Sequence, residues 1–228
     1  MKLTLVMVAG WGVGARIWES FLPYLEPYYQ VICLKQHLAF LPAAVINQVP
    51  TQSHWLGWSL GGSLALQAYG YFPDKFKSLC LLAHNPHFIA TKEWPGIASE
   101  NLKAMLAAVQ QEPRMALKKF YATLFAPKSE YRHFIREISL DPLPEPAALV
   151  NGLLLLQNLD LRQQLQELTI PLLQLFAEYD PLIPQKLMEL YPQGQVIAGS
   201  CHPLFLTHPK QVVEAMLTFH RSTIYAAI

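Results

Sequence analysis

Ser59 stands in Gly57-Trp58-Ser59-Leu60-Gly61, a Gly-x-Ser-x-Gly pentapeptide between a short apolar run and a helical pattern. Ser53 to Leu56 reads as a buried strand, and Leu60 to Tyr71 as an amphipathic helix. A serine on a sharp strand-to-helix turn is pushed out above a sheet, and its glycines answer a backbone too tight for Cβ atoms. The helix that follows aims free N–H groups and its positive dipole end at the serine oxygen. The pentapeptide alone also fits a structural turn. The strand before it and the helix after it favour a nucleophile.

A serine nucleophile needs a base, and the base needs a carboxylate to orient it, here expected in the order Ser, Asp, His. Pro171 to Ala177 is an apolar run of strand length that leads into Glu178-Tyr179-Asp180-Pro181, which puts Asp180 just past a strand's carboxyl end. Ligands and catalytic groups gather at that edge of open α/β sheets. Gln195 to Ala198 reads as the last strand, with His202 on the Gly199-Ser200-Cys201-His202-Pro203 loop behind it. Glu178 is the nearest rival of Asp180, but the turn-forming Asp-Pro favours the aspartate. Asp74 lies in a Phe-Pro-Asp-Lys turn, Asp141 in a Pro-rich stretch, and Asp160 reads as a helix cap. His37, His54, His84, His87 and His133 precede the candidate Asp, His208 enters a helix and His220 lies on one. His202 alone has the right order and a post-strand position.

The tetrahedral intermediate of acyl transfer also needs preplaced donors for its oxyanion. The N–H of Leu60, directly after the nucleophile, is one candidate. Leu3 to Ala9 reads as an early strand and Gly10-Trp11-Gly12 as the loop behind it, so the Trp11 N–H is the other. A simple glycine turn is the alternative for that loop.

These side chains need a scaffold. Strands near 3–9, 30–34, 53–57 and 78–83 alternate with helices near 17–26 and 60–71, which predicts a mainly parallel, doubly wound sheet. Between about Phe88 and Leu168 helical patterns follow one another without strands: Asn101 to Gln111, Arg114 to Phe125, Glu130 to Ser139 and Pro146 to Asn158. Because the sheet resumes at Pro171, residues 88–167 read as an inserted helical lid, and 1–87 with 168–228 as the core. A helix from about Pro209 to Arg221 closes the chain.

With 228 residues, 52% of them hydrophobic, the chain is expected to be a single soluble domain with an ample core. A net charge of +1 argues against a general polyanion-binding surface and against nucleic acid as a partner. No run reaches the roughly 18 apolar residues of a membrane span. No metal-ligand spacing or phosphate-type glycine loop is present, so no cofactor is expected. Three cysteines cannot all pair, which points to a reducing, cytoplasmic setting. Cys201, next to His202, is not needed as a nucleophile. The opening Met1 to Gly10 superficially resembles a short signal peptide, but its removal would delete the oxyanion strand, so it reads as part of the mature chain.

Trp55-Leu56-Gly57-Trp58-Ser59-Leu60-Gly61-Gly62 resembles the nucleophile motif of the pimeloyl-(acyl-carrier protein) methyl ester esterases of biotin synthesis. Glu93-Trp94-Pro95-Gly96-Ile97 and Asn158-Leu159-Asp160-Leu161-Arg162-Gln163 resemble two further, more specific segments of the same enzymes. The resemblance runs from about residue 3 to the end. It implies an α/β-hydrolase fold with a helical lid, acting on the methyl ester of a carrier-bound dicarboxylic acyl chain. Departures fall at Ala9-Gly10, where the family has His-Gly, and at Leu34-Lys35-Gln36-His37-Leu38, which replaces a glycine- and serine-containing loop. The family's N-terminal hairpin is also missing.

Specificity is expected in the lid, whose basic residues include Arg114, Lys118, Lys119, Lys128, Arg132 and Arg136. Lys128, Arg132 and Arg136 are four apart and would share one helix face. By resemblance, carrier-protein contacts fall at or near Arg114, Lys119, Arg132 and Arg136; lysine at 119 keeps the charge without the bidentate fork. An ordinary solvated face is the alternative. Phe120, Tyr121 and Leu124, with Trp58, are candidate acyl-chain contacts or simply core, and Trp11, Leu60 and His202 complete the expected substrate site. The sequence thus predicts a monomeric serine carboxylesterase partnered by acyl-carrier protein. A broader small-ester or thioester hydrolase and a non-catalytic binding module are the alternatives.

Overall fold

The apolar runs enter one sheet: β1 (Leu3–Val8), β2 (Tyr29–Leu34), β3 (Ser53–Trp58), β4 (Phe76–Leu82), β5 (Leu172–Tyr179) and β6 (Gln195–Cys201). The computed structural model describes residues 2–34, 43–131, 133–139 and 142–225. Strand order is β2-β1-β3-β4-β5-β6 and every pairing is parallel. All the loops that leave the strands' carboxyl ends therefore emerge at one edge, and the order reverses beside β1, where open α/β sheets form their clefts.

The first helical stretch is α1 (Leu22–Leu25), followed by α2 (Ala43–Ile46) and α3 (Leu60–Tyr71). The helix expected near 17–26 is instead a 3-10 turn, Ala15–Trp18, and the short α1. Pro23 is the physical reason: lacking an N–H, it fits the first turn of a helix but not the interior of a longer one. Side chains of β3 alternate between two helical layers. His54 meets His220 near the chain's end, with ring centroids 4.1 Å apart, whereas Gly57, of opposite parity, abuts Gly62 of α3. Both faces of the sheet are thereby buried, and β3 is buried along its whole length.

Between β4 and β5 the chain forms α4 (Ser99–Gln111), α5 (Pro113–Leu124), α6 (His133–Ile138), α7 (Pro146–Asn158) and α8 (Arg162–Gln166). After β5 come α9 (Gln185–Leu190), then, beyond β6, α10 (Leu204–Thr207) and α11 (Pro209–Tyr225). Lys128 lies before α6, so it does not share that helix with Arg136. Its ammonium instead lies 4.4 Å from the Tyr179 ring centre. Arg132, Asp141 and the altered loop at 35–38 lie outside the described residues.

The two family-specific segments, far apart in sequence, meet in space. Arg162 places its guanidinium 5.0 Å from the Trp94 ring centre and is held by Asp160 through Nε at 2.8 Å. His87 Nδ1 lies 3.1 Å from Leu159 O, and Leu161 N–H donates to Pro86 O. Gly96 is required there because a Cβ would come within 2.5 Å of Phe88 O.

Candidate active site

The turn at Ser59 is built by exclusion. A Cβ on Gly57 would meet Gly62 Cα at 2.5 Å, and one on Gly61 would meet Val8 O at 2.1 Å. Only with both side chains absent can α3 start this close to β1 and β3. Ser59 itself is bent to φ 54°, ψ −125°, a conformation costly for a residue with a side chain. Its N–H is fastened to Leu82 O at 2.9 Å, which holds the strain in place.

The register of β5 and β6 pairs Tyr179 with Cys201, so the next residues, Asp180 and His202, emerge side by side. His202 Nδ1 lies 2.9 and 2.8 Å from the two carboxylate oxygens of Asp180, and both side chains are almost fully buried. Asp180 Oδ1 also accepts the N–H groups of Leu182 and Ile183 at 2.9 and 3.0 Å. These bonds leave the carboxylate little freedom to turn away from the imidazole. The strand β6 runs through Cys201, beyond the expected end at Ala198. Gly199 (φ 79°) forms an irregularity there, and its N–H donates to Glu178 Oε2 at 2.7 Å. Glu178 is thus a strand tie, not a partner of the histidine.

His202 Nε2 is buried and makes no hydrogen bond to a described residue. The expected bond to the Ser59 hydroxyl is not made in this structure; such bonds tighten when substrate binds. Nδ1 faces the carboxylate, so Nε2 is the ring nitrogen that no described residue engages. The neighbouring Cys201 thiol is raised to about 11 by burial, so it is no competing nucleophile.

The Leu60 N–H opens α3 and has no partner within its own helix. The Trp11 N–H is not taken by any described backbone carbonyl. Trp11 is fixed by its ring. Its indole N–H donates to Leu149 O of α7 at 2.8 Å, and its ring meets that of Phe120 in a T-shaped contact with centroids 4.9 Å apart. Gly152 makes room for it, since a Cβ there would reach Trp11 Cδ1 at 2.4 Å. The Tyr121 hydroxyl donates to Gly12 O and ties α5 to the same loop.

A cavity of about 230 Å³ opens over Ser59, walled by Trp11, by Leu102 and Met105 of α4, by Phe120 of α5, and by Leu153 and Leu156 of α7. Ser59, Trp11 and Phe120 are thereby brought together. Five other expected contacts, His202 among them, lie outside the lining. Trp58 is buried beneath the site, packing on Trp18 and Phe205 while its N–H donates to His202 O at 3.0 Å. Leu60, Tyr121 and Leu124 are core residues. The cavity walls from α4 and α7 escaped sequence reasoning because Leu102/Met105 and Leu153/Leu156 repeat at the spacing of any buried helix face.

Arg114 and Lys119 of α5 and Arg136 of α6 are exposed. Among the described residues no cluster of His, Cys, Asp and Glu suits a metal ion, and no helix is long and apolar enough to cross a membrane.

Residues 50–209 match the family model for the alpha/beta hydrolase fold. The chain is 32% identical to a pimeloyl-(acyl-carrier protein) methyl ester esterase of Edwardsiella ictaluri, covering 96% of this chain and 93% of that one. It is 31% identical to the enzyme of the same name from Klebsiella pneumoniae strain 342, covering 93% and 91%. Among solved structures, a bromoperoxidase from Bacillus anthracis superposes with a TM-score of 0.82 over 97% of this chain and 92% of its own, at 21% identity. An esterase from Exiguobacterium antarcticum gives 0.79 over 95% and 91%, at 20% identity. At such identities the last two speak for the fold alone.

Proposed function

The chain belongs to the α/β-hydrolase family and, within it, to the pimeloyl-(acyl-carrier protein) methyl ester esterases, and on that premise we propose that it cleaves the methyl ester of a pimeloyl chain borne on acyl-carrier protein in biotin synthesis. His202 Nε2 takes the Ser59 proton as Oγ forms a bond to the ester carbonyl carbon. The Trp11 and Leu60 N–H groups receive the oxyanion, a contribution of about 3 kcal/mol for a typical donor. Asp180 keeps the imidazole tautomer and stabilises its charged form. The bond to methoxide breaks, and His202 hands it the proton, giving methanol and an acyl-enzyme. Water, deprotonated by His202, then bonds to the acyl carbon, the bond to Ser59 Oγ breaks to release the carboxylate, and His202 returns the proton to Oγ.

One observation carries this reading. The buried Asp180–His202 pair presents a free Nε2 at the sheet edge that also bears the strained Ser59 and its apolar cavity. Residues 88–167 act as a lid over the core formed by 1–87 and 168–228. The exposed Arg114, Lys119 and Arg136 form the surface that meets the acidic carrier. The enzyme works as a cytoplasmic monomer without a cofactor, in keeping with three cysteines that cannot all pair.

Mass spectrometry of the carrier after incubation with the enzyme tests the reaction. The expected product keeps its thioester and loses only the methyl group. Cleavage at the thioester, or an unaltered carrier, contradicts it.

A further inference from the structure

The cavity above Ser59 is apolar along its walls but not at its opening. Its exposed lining residues are Asn101 of α4, Thr123 of α5 and Pro181, whereas Trp11, Leu102, Leu153 and Leu156 are buried. The opening therefore lies between the first turn of α4 and the last turn of α5, and two of its residues can hydrogen-bond. Thr123 Oγ1 donates to Lys119 O at 3.1 Å, which commits its proton and leaves its lone pairs to accept. The Asn101 carboxamide makes no hydrogen bond to any described residue. A purely hydrocarbon chain offers neither group a partner.

An acyl chain tethered to a carrier does. Its ester end must lie at Ser59, so its tethered end leaves through the rim, where the thioester and then the amides of the pantetheine arm follow. We propose that Asn101 and Thr123 form a polar rim that grips this amide-bearing arm. Asn101 donates to an amide carbonyl, and Thr123 accepts the amide N–H. The proposal rests on the carrier-bound substrate and adds the residues that read the arm. Helix α5 then presents in close succession a cation toward the carrier (Lys119), an apolar wall for the chain (Phe120) and the rim (Thr123). Asn101 and Thr123 set specificity for tethered over free esters without touching the reacting atoms.

The test uses Asn101→Leu and Thr123→Val with two methyl esters of equal acyl length: methyl pimeloyl-pantetheine and methyl heptanoate. Each exchange should raise KM for the pantetheine ester about five- to tenfold, the worth of one hydrogen bond, while kcat stays as in the wild type. Methyl heptanoate should be turned over by all three proteins alike. Parallel changes on both esters, or an unchanged KM for the pantetheine ester, overturn the rim while leaving the esterase reading intact. A wild type that cleaves methyl heptanoate but not the pantetheine ester overturns the carrier-substrate reading itself, and the rim with it.

Discussion

The Trp11 indole N–H donates to the main-chain oxygen of Leu149 across 2.8 Å and thereby fastens the loop after β1 to helix α7. The loop proposed to offer an oxyanion donor is in this way held by the helical block above it. Trp11→Phe keeps an aromatic ring but removes the bond and part of a buried side chain, so it should cost about 1–3 kcal/mol of stability. A loop displaced by even a fraction of an ångström also loses oxyanion alignment, and kcat should fall about tenfold with KM nearly unchanged. Thermal unfolding together with turnover of a small ester checks both. An unaltered kcat would separate the indole bond from the donor geometry.

Asp180 and Glu178 can be told apart by isosteric exchange. Asp180→Asn preserves shape but allows the wrong imidazole tautomer, and kcat should drop about 10⁴-fold. Glu178→Gln retains an acceptor for Gly199 N–H and should leave activity within about twofold, as exposed polar exchanges usually do. Equal losses in the two variants would refute the assignment.

Gly152→Ala drives a Cβ to within 2.4 Å of Trp11 Cδ1. The indole has to move, at a cost of about 1–3 kcal/mol typical of overpacking. Its esterase activity should fall together with its stability. An exchange at Gly70, whose Cβ meets nothing within 4 Å, is the control and should leave activity unchanged.

Acid should destabilise the fold before it exhausts the carboxylates. Burial lowers His54 to about 4 and His84 and His220 to about 3. In the unfolded chain the same imidazoles protonate near pH 6.5. Between those values the unfolded state binds more protons, so stability is full above about pH 6.5 and declines as pH falls toward 4. Urea midpoints across that window should shift steadily downward, and His220→Gln should flatten the slope. Midpoints independent of pH would mean that these rings are not held neutral.

The strand-end turns that carry Ser59, Asp180 and His202 were legible because each rests on a short-range signal. Glycines around Ser59, an apolar run ending at Asp180 and another ending near His202 mark turns at strand ends, and a parallel sheet brings such turns to one edge. Side-chain direction was less legible. Trp58 adjoins Ser59 in sequence, yet strand alternation sends it beneath the site, where it braces His202 O. The cavity walls from α4 and α7 carry the same apolar spacing as core helices, and only the tertiary arrangement of those helices separates the two roles. The meeting of Trp94 with Arg162 is likewise a long-range event without a local signal.

On the proposed function, an exposed basic surface delivers a carrier-bound ester to Ser59. The most direct measurement compares kcat/KM for the methyl ester of pimeloyl-carrier and for a short p-nitrophenyl ester, in the wild type and in Lys119→Glu/Arg136→Glu. Loss of electrostatic steering should lower the carrier reaction about tenfold or more at low salt and leave the small ester unchanged. Equal behaviour of the two substrates, or no cleavage of the carrier ester by the wild type, would contradict the account and leave a general esterase in its place.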